Sequence, residues 1–300
     1  MSASFRAMGT EIMVLAPGLD EAAEGALTDR VRADFEASER RFSRFRADSE
    51  LGRLNRAGGD VLVSAPLFAA LGRARGYFEL TAGLFDPTVA GALAALGYDR
   101  SFAPGALDRD EVAPAGPRAS FAEVRLDPRT HTVSRPPGLQ IDLGGMIKGH
   151  TADRAARRLP EDGALDAGGD AVLRGAGPDG EGWLVEVEDP ADATRVLLTT
   201  RVRDGAVATS AANRRRWRAG DRPVHHLVDP RTGLPAATDL TQATVFARFA
   251  ELADVLAKAA FLLGAREARR LLSRLADTSA VLVRGDGAIE IVGKVEVVDV

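Results

Sequence analysis

Three hundred residues are enough for one large core or two intertwined lobes, and 45% hydrophobic with 27% charged residues is an ordinary globular composition. A formal net charge of −4, with Lys and Arg scattered among Asp and Glu, leaves no basic face and argues against nucleic acid as a partner. The chain has no cysteine, which excludes disulfides, thiolate metal ligands, a cysteine nucleophile and a lipidated N-terminal Cys.

The first ten residues contain no apolar signal region, and no stretch approaches the ~18 apolar residues of a membrane span, so the expectation is a cytoplasmic protein without membrane insertion. Residues 11–16 (EIMVLA) predict a strand. Asp20 offers an N-cap, and Leu27, Val31, Phe35, Ser38, Phe42 and Phe45 recur at helical spacing. Acids at Glu21 and Glu24 and bases at Arg40, Arg41 and Arg44 match the helix dipole. A short helix is expected over 49–57 and another from Pro66 to about residue 80. The Pro/Gly/Asp-rich stretch 103–120 reads as a surface connection. Strands are predicted at 123–126, 132–134 and 139–142, followed by a helix that Pro160 stops. Further strands are expected at 183–187, 195–200, 206–209, 224–228 and 241–247. Helices over 251–263 and 266–275 then precede a hairpin of 280–284 with 288–292 around Gly285-Asp-Gly. Helices and strands do not alternate regularly, which makes the fold class α+β.

The segment Asp142-Leu-Gly-Gly-Met-Ile-Lys-Gly-His150 joins a carboxylate, a double glycine and Lys148 at a helix start. Such an arrangement brings backbone N–H groups and positive potential to a phosphate, or else is a plain turn with a solvent-facing lysine. Asp166-Ala-Gly-Gly-Asp170 reads alone as a tight hairpin. Gly175-Ala-Gly-Pro-Asp-Gly180 matches GxGxxG, but it contains Pro and precedes a strand, so it is no dinucleotide fingerprint. His225 and His226, on one strand, would face opposite sides and could not chelate a metal together. Asp254 and Lys258, at i and i+4, form either a surface pair or a partly buried carboxylate with Lys258 or a metal as its cation.

In chain order, Met8-Gly-Thr10, Phe42-Ser-Arg-Phe45, Ser49-Glu-Leu51, Leu54-Asn55 and Gly83-Leu-Phe-Asp-Pro-Thr-Val89 resemble the FAD:protein FMN transferase (ApbE) family. So do the Asp142–His150 segment with Asp153, Gly168-Gly-Asp170, Ala208-Thr-Ser210, the run from His226 to Pro235, and Ala253-Asp-Val-Leu-Ala-Lys-Ala259. The resemblance implies a single two-lobed, T-fold-related domain over residues 1–300 with an FAD cleft between the lobes. It implies FAD contacts at Met8, Phe45, Leu84, Phe85, Asp86, Gly144, Gly145, Lys148, His150, Thr209, Ser210 and Val228. His226 and Asp254 are implied in catalysis, and Ile147, Asp254 and Lys258 stand at the positions that hold Mg²⁺. The implied activity moves FMN from FAD onto a threonine of a partner flavoprotein, releasing AMP; the alternatives are FAD hydrolysis to FMN and AMP, or flavin binding alone. Two departures stand out. The metal-binding hydroxyl one turn after Asp254 is Lys258, and the family's Ser-Gly-Asp-Tyr is Ser210-Ala-Ala-Asn213.

Overall fold

Residues 2–102, 107–108 and 120–298 are described by the structure, a computed structural model, so most of the 103–120 connection lies outside it. The chain divides into two units: Met1–Glu36, Lys148–Asn213 and Thr238–Val300 form the first, Ala37–Ile147 and Arg214–Ala237 the second.

The first unit is built on an eight-stranded antiparallel sheet of β1 (Ser2–Ala7), β2 (Thr10–Leu15), β3 (Gly163–Ala167), β4 (Ala171–Arg174), β5 (Gly205–Ala211), β6 (Leu240–Ala247), β7 (Ser279–Arg284) and β8 (Ile289–Val292). Among themselves the eight strands lie side by side in chain order, with strands of other sheets intervening between β2 and β3, β4 and β5, and β5 and β6. The β1–β2 connection is the two-residue loop Met8-Gly9, with φ of 51° and 73°. Positive φ at both central positions is a type I′ turn, whose twist suits a two-residue hairpin and which is why a glycine sits second.

Helix α1 (Glu21–Phe42) buries Leu27, Val31 and Phe35, one face at i, i+4 and i+8 as predicted. These pack with Ile12, Val14 and Leu165 of the sheet, and with Ala152, Ala155, Ala156 and Leu159 at the end of the helix that Pro160 stops. Each large apolar side chain buried there contributes about 1.5–3 kcal/mol. On the other face lies a three-stranded sheet of Trp183–Glu188, Val196–Val202 and Val297–Val298, so that Val187, Val207, Phe246 and Val281 form a second core.

The second unit contains α2 (Glu50–Arg56), α3 (Ala65–Leu80), α4 (Ala90–Ala95) and a small sheet with Thr132–Ser134 between Val61–Leu62 and Arg125–Asp127. Ser49 and Ser64 cap α2 and α3 with their hydroxyls. Three predicted strands need correction here. Residues 139–142 pair with no strand; the Asn55 amide donates to Ile141 O (2.8 Å) and accepts from Ile141 N (2.9 Å), doing what a neighbouring strand would do. At 123–126, the 3₁₀ turn Phe121–Glu123 takes Glu123 and the strand begins at Arg125. The strand predicted at 224–228 is broken: the hairpin of Arg216–Ala219 with Arg222–His225 stops at His225, and Val228–Asp229 pairs separately with Leu234–Pro235.

Candidate functional site

In the first unit the double-glycine turn and the lysine motif meet. α5 (Ile147–Ala155) starts next to Lys148, whose Nζ donates to Ala167 O at 2.8 Å and forms an ion pair with Asp170. Ala167 and Asp170 bracket Gly168 and Gly169, both at positive φ, and the two glycine N–H groups donate to Asp166 Oδ1 at 2.9 and 3.2 Å. A Cβ on Gly168 would lie 1.9 Å from Thr10 Oγ1, so the turn sits directly against the end of the Met8-Gly9 hairpin. Met8, Thr10, Lys148 and Asp170 are thereby gathered at one end of the sheet.

α6 (Ala250–Leu263) lies against β5 and β6 through Ala208, Ala247 and Ala253. Asp254 is buried, and its carboxylate is paired with the Lys258 ammonium one turn on, so the surface-pair reading of this i, i+4 couple is set aside. Burial raises the Asp254 carboxyl above its usual range; the Lys258 ammonium opposes this, Asp170 adds to it and Lys148 opposes it. Burial likewise raises Asp166, against the two glycine N–H bonds and Lys148. Asp166, Asp170, Asp254, Lys148 and Lys258 therefore form one interacting charge cluster.

The remaining residues of the lysine motif dock α5 onto α6. Asp153 accepts from Ala250 N at 2.8 Å and Glu251 N at 3.0 Å, capping a helix whose own N-cap, Phe249, has no side chain to do so. His150 Nδ1 is 3.2 Å from Glu251 Oε2. Removing the cap strands two N–H groups, so Asp153→Ala should lower stability by about 1–2 kcal/mol, seen as a lower urea midpoint at unchanged slope. An unchanged midpoint would mean that water replaces the carboxylate.

Thr209 and Ser210 do not share a face. Ala208 contacts Ala253 of α6, and Ser210, two residues on, lies on that side. Thr209 alternates with them and shares the Val207 face, where its hydroxyl is 2.9 Å from Thr244 Oγ1 across the β5–β6 pair.

In the second unit, half-exposed Phe45 is held by Arg44, whose guanidinium lies 4.0 Å from its ring centre and 5.0 Å from that of Tyr98. Arg44 also lies 2.8 Å from Asp142 Oδ2, while Gly144 N donates to Asp142 Oδ1 at 2.7 Å. Gly145 completes the turn into Ile147, whose N–H bonds Leu143 O at 2.9 Å. Leu84 and Phe85 are buried, and Asp86 caps a 3₁₀ turn, accepting from Thr88 N (2.8 Å) and Thr88 Oγ1 (2.6 Å). The side chains of these three are thus engaged in packing and capping. Val228 is buried with Tyr98, Trp217 and Val224. His225 ends its strand, and burial, with Arg216 nearby, holds its pKa below the usual value. His226 lies beyond the strand end, its N–H 3.3 Å from Arg215 O, so strand alternation does not separate the two rings.

Asp229 organises the following turn: Arg231 donates through Nε (2.9 Å) and Nη2 (2.7 Å), and Gly233 N bonds Asp229 O at 2.8 Å. Burial would raise this carboxyl, but the Arg231 contacts hold it below the usual range. A depressed folded pKa stabilises above the unfolded value, near 3.9, and that stability is lost as pH falls through the folded value. Asp229→Asn should therefore narrow the gap between stability at neutral pH and below about pH 4, by an amount reduced by the exposure of Arg231. Parallel acid-denaturation curves for the two proteins would refute it.

A model of the ApbE family matches residues 8–283. The chain belongs to the ApbE family. Every candidate residue from Met8 to Lys258 lies inside the ApbE match. An FAD:protein FMN transferase of Treponema pallidum is 34% identical over 282 residues, covering 85% of this chain and 77% of its own. The ApbE protein of Thermotoga maritima superposes with a TM-score of 0.84 at 25% identity, covering 97% of this chain and 96% of its own. The flavin transferase ApbE of Vibrio cholerae shares the fold, with a TM-score of 0.81 at 22% identity over 99% and 96% of the two chains.

The ApbE motifs left four partners unnamed: Arg44 for Asp142, Asp170 for Lys148, Glu251 for His150, and α6 as what Asp153 caps. Each partner lies inside or beside a matched block, which was the available signal; the pairings were not.

Proposed function

We propose that the protein is an FAD:protein FMN transferase, moving FMN from FAD to a threonine of an acceptor flavoprotein. The observation that carries this reading is the convergence of Lys148, the Gly168-Gly169 turn and the Asp254–Lys258 pair in a chain related to named transferases. The acceptor's threonine hydroxyl attacks the FMN-side phosphorus while the bond from that phosphorus to the bridging oxygen breaks. AMP leaves with the bridging oxygen, and the hydroxyl proton passes to a base, a role we assign to His226. Charge on the pyrophosphate is met by the Lys148 ammonium beside the Gly168-Gly169 turn.

Magnesium does not fit the residues present at Asp254. The position that would supply a second oxygen carries an ammonium, which has no lone pair while protonated, and it is already seated on Asp254 Oδ1. Among the described residues, no group of three or more His, Asp or Glu could hold a metal ion. Nor is any described helix long and apolar enough to cross a membrane.

The test is incubation with FAD and an acceptor domain bearing a candidate threonine. AMP release together with an FMN mass adduct on the acceptor supports transfer; AMP without adduct would identify a hydrolase, and no AMP a binding protein. Calorimetry should show FAD bound at least ~10-fold more tightly than FMN, a difference of about 1.4 kcal/mol supplied by the adenylate half. Equal affinities would remove the adenylate contacts from the reading.

A further inference from the structure

Asp254 is buried and Lys258 is its partner, and the two are unequally enclosed: the side chains are 5% and 22% exposed. The carboxylate is therefore fixed inside α6 while the ammonium sits where the cluster meets solvent. Lys258 has three N–H donors and places one on Asp254 Oδ1 and a second, at 3.4 Å, on Asp254 O. A second ammonium, on Lys148, belongs to the same cluster and is itself anchored on Asp170 and Ala167 O. Two lysines are thus each tethered to a buried carboxylate and a backbone carbonyl with one donor to spare, beside the Gly168-Gly169 turn.

Resting on the transferase reading, we infer that Lys258 takes over the role a divalent cation would have at Asp254. Its ammonium neutralises the FAD pyrophosphate directly, and FAD binding by this protein needs no divalent metal. The Asp254 carboxylate then serves to hold the lysine in place instead of ligating an ion. A single positive charge on a flexible stem attracts phosphate oxygens, but it does not order them as an octahedral ion does.

FAD affinity of the native protein, Lys258→Thr and Lys258→Arg, each in millimolar Mg²⁺ and in EDTA, tests the inference by quenching of flavin fluorescence. The native protein should bind FAD within twofold under the two conditions, and Lys258→Arg, which keeps the charge, should behave likewise. Lys258→Thr should lose at least tenfold in EDTA and recover in Mg²⁺, since a hydroxyl beside Asp254 is a competent oxygen donor. A native protein weakened tenfold or more by EDTA overturns the inference even if the variants do not fold. So does a Lys258→Thr protein whose affinity equals the native one in EDTA. Absence of FAD binding in both conditions would overturn the transferase reading and this inference together, whereas EDTA-sensitive binding overturns only the latter.

Discussion

Gly149→Val should be the most damaging single change in the lysine motif, lowering stability by about 3 kcal/mol or more and the melting temperature by roughly 6–12 °C. A Cβ at Gly149 would lie 2.5 Å from Ala250 O, 2.6 Å from Ala250 C and 2.7 Å from Glu251 N. All three are backbone atoms at the start of α6, held by Asp153, so no side-chain rotation relieves the clash. α5 must move away, which also withdraws Lys148 from Ala167 and Asp170. FAD binding should therefore weaken along with stability. Gly76→Ala serves as the control, because Gly76 lies within α3 and a Cβ there meets nothing within 4 Å. That change should stabilise by about 0.5–1 kcal/mol, since alanine restricts the unfolded chain. Melting curves in which both variants resemble the native protein would show that α5 and α6 are not in close contact.

Replacing His226 by alanine should reduce AMP release by about 10²–10⁴-fold, the usual range for loss of a general base, with FAD affinity changed by less than about threefold. His225→Ala should leave most of the activity. The structural distinction between them is that His225 ends a paired strand, where burial holds its pKa below the usual value, whereas His226 lies where that strand has stopped. Single-turnover AMP release measured across pH 5–9 separates the two histidines. Loss of activity on His225→Ala with His226→Ala active would transfer the base role to the strand residue. An activity loss matched by lost FAD affinity would make His226 a binding residue.

Elements whose reason is local were legible in the sequence. Leu27, Val31 and Phe35 announced α1 by their spacing, and Pro160 announced a helix end. The Gly168-Gly169 turn marked a hairpin because only positive-φ residues close it so tightly. What escaped depends on partners far along the chain. Asn55 satisfies Ile141 from α2, so residues 139–142 looked like a strand and have no strand neighbour. β1, SASFRA, has weak strand propensity and exists because β2 pairs with it in register. At the candidate site, the lysine, the glycines and Asp254 were legible as chemistry-bearing types. That Lys148 would choose Asp170 was not legible, since it follows from tertiary register. Thr209 and Ser210 are divided by simple strand alternation, which was missed because the predicted strand ended at 209 while the observed one runs to Ala211.

The order of the eight-stranded sheet also bears on how the chain acquires its structure. β2 pairs with β3, its successor in the sheet, yet residues 16–162 intervene, including all of α1 to α5. Bringing Leu15 to Ala164 closes that whole segment, a step of high contact order that is slow although its entropy rises only with the logarithm of length. On a ribosome, the β1–β2 hairpin emerges well before β3 and must wait, with one strand edge unsatisfied, until β3 has been synthesised. The strands from β3 onward have shorter connections and can zip in sequence behind it. Joining of the N-terminal hairpin to β3 is thus the expected rate-limiting event, and the interval before it is when the nascent chain is most open to aggregation.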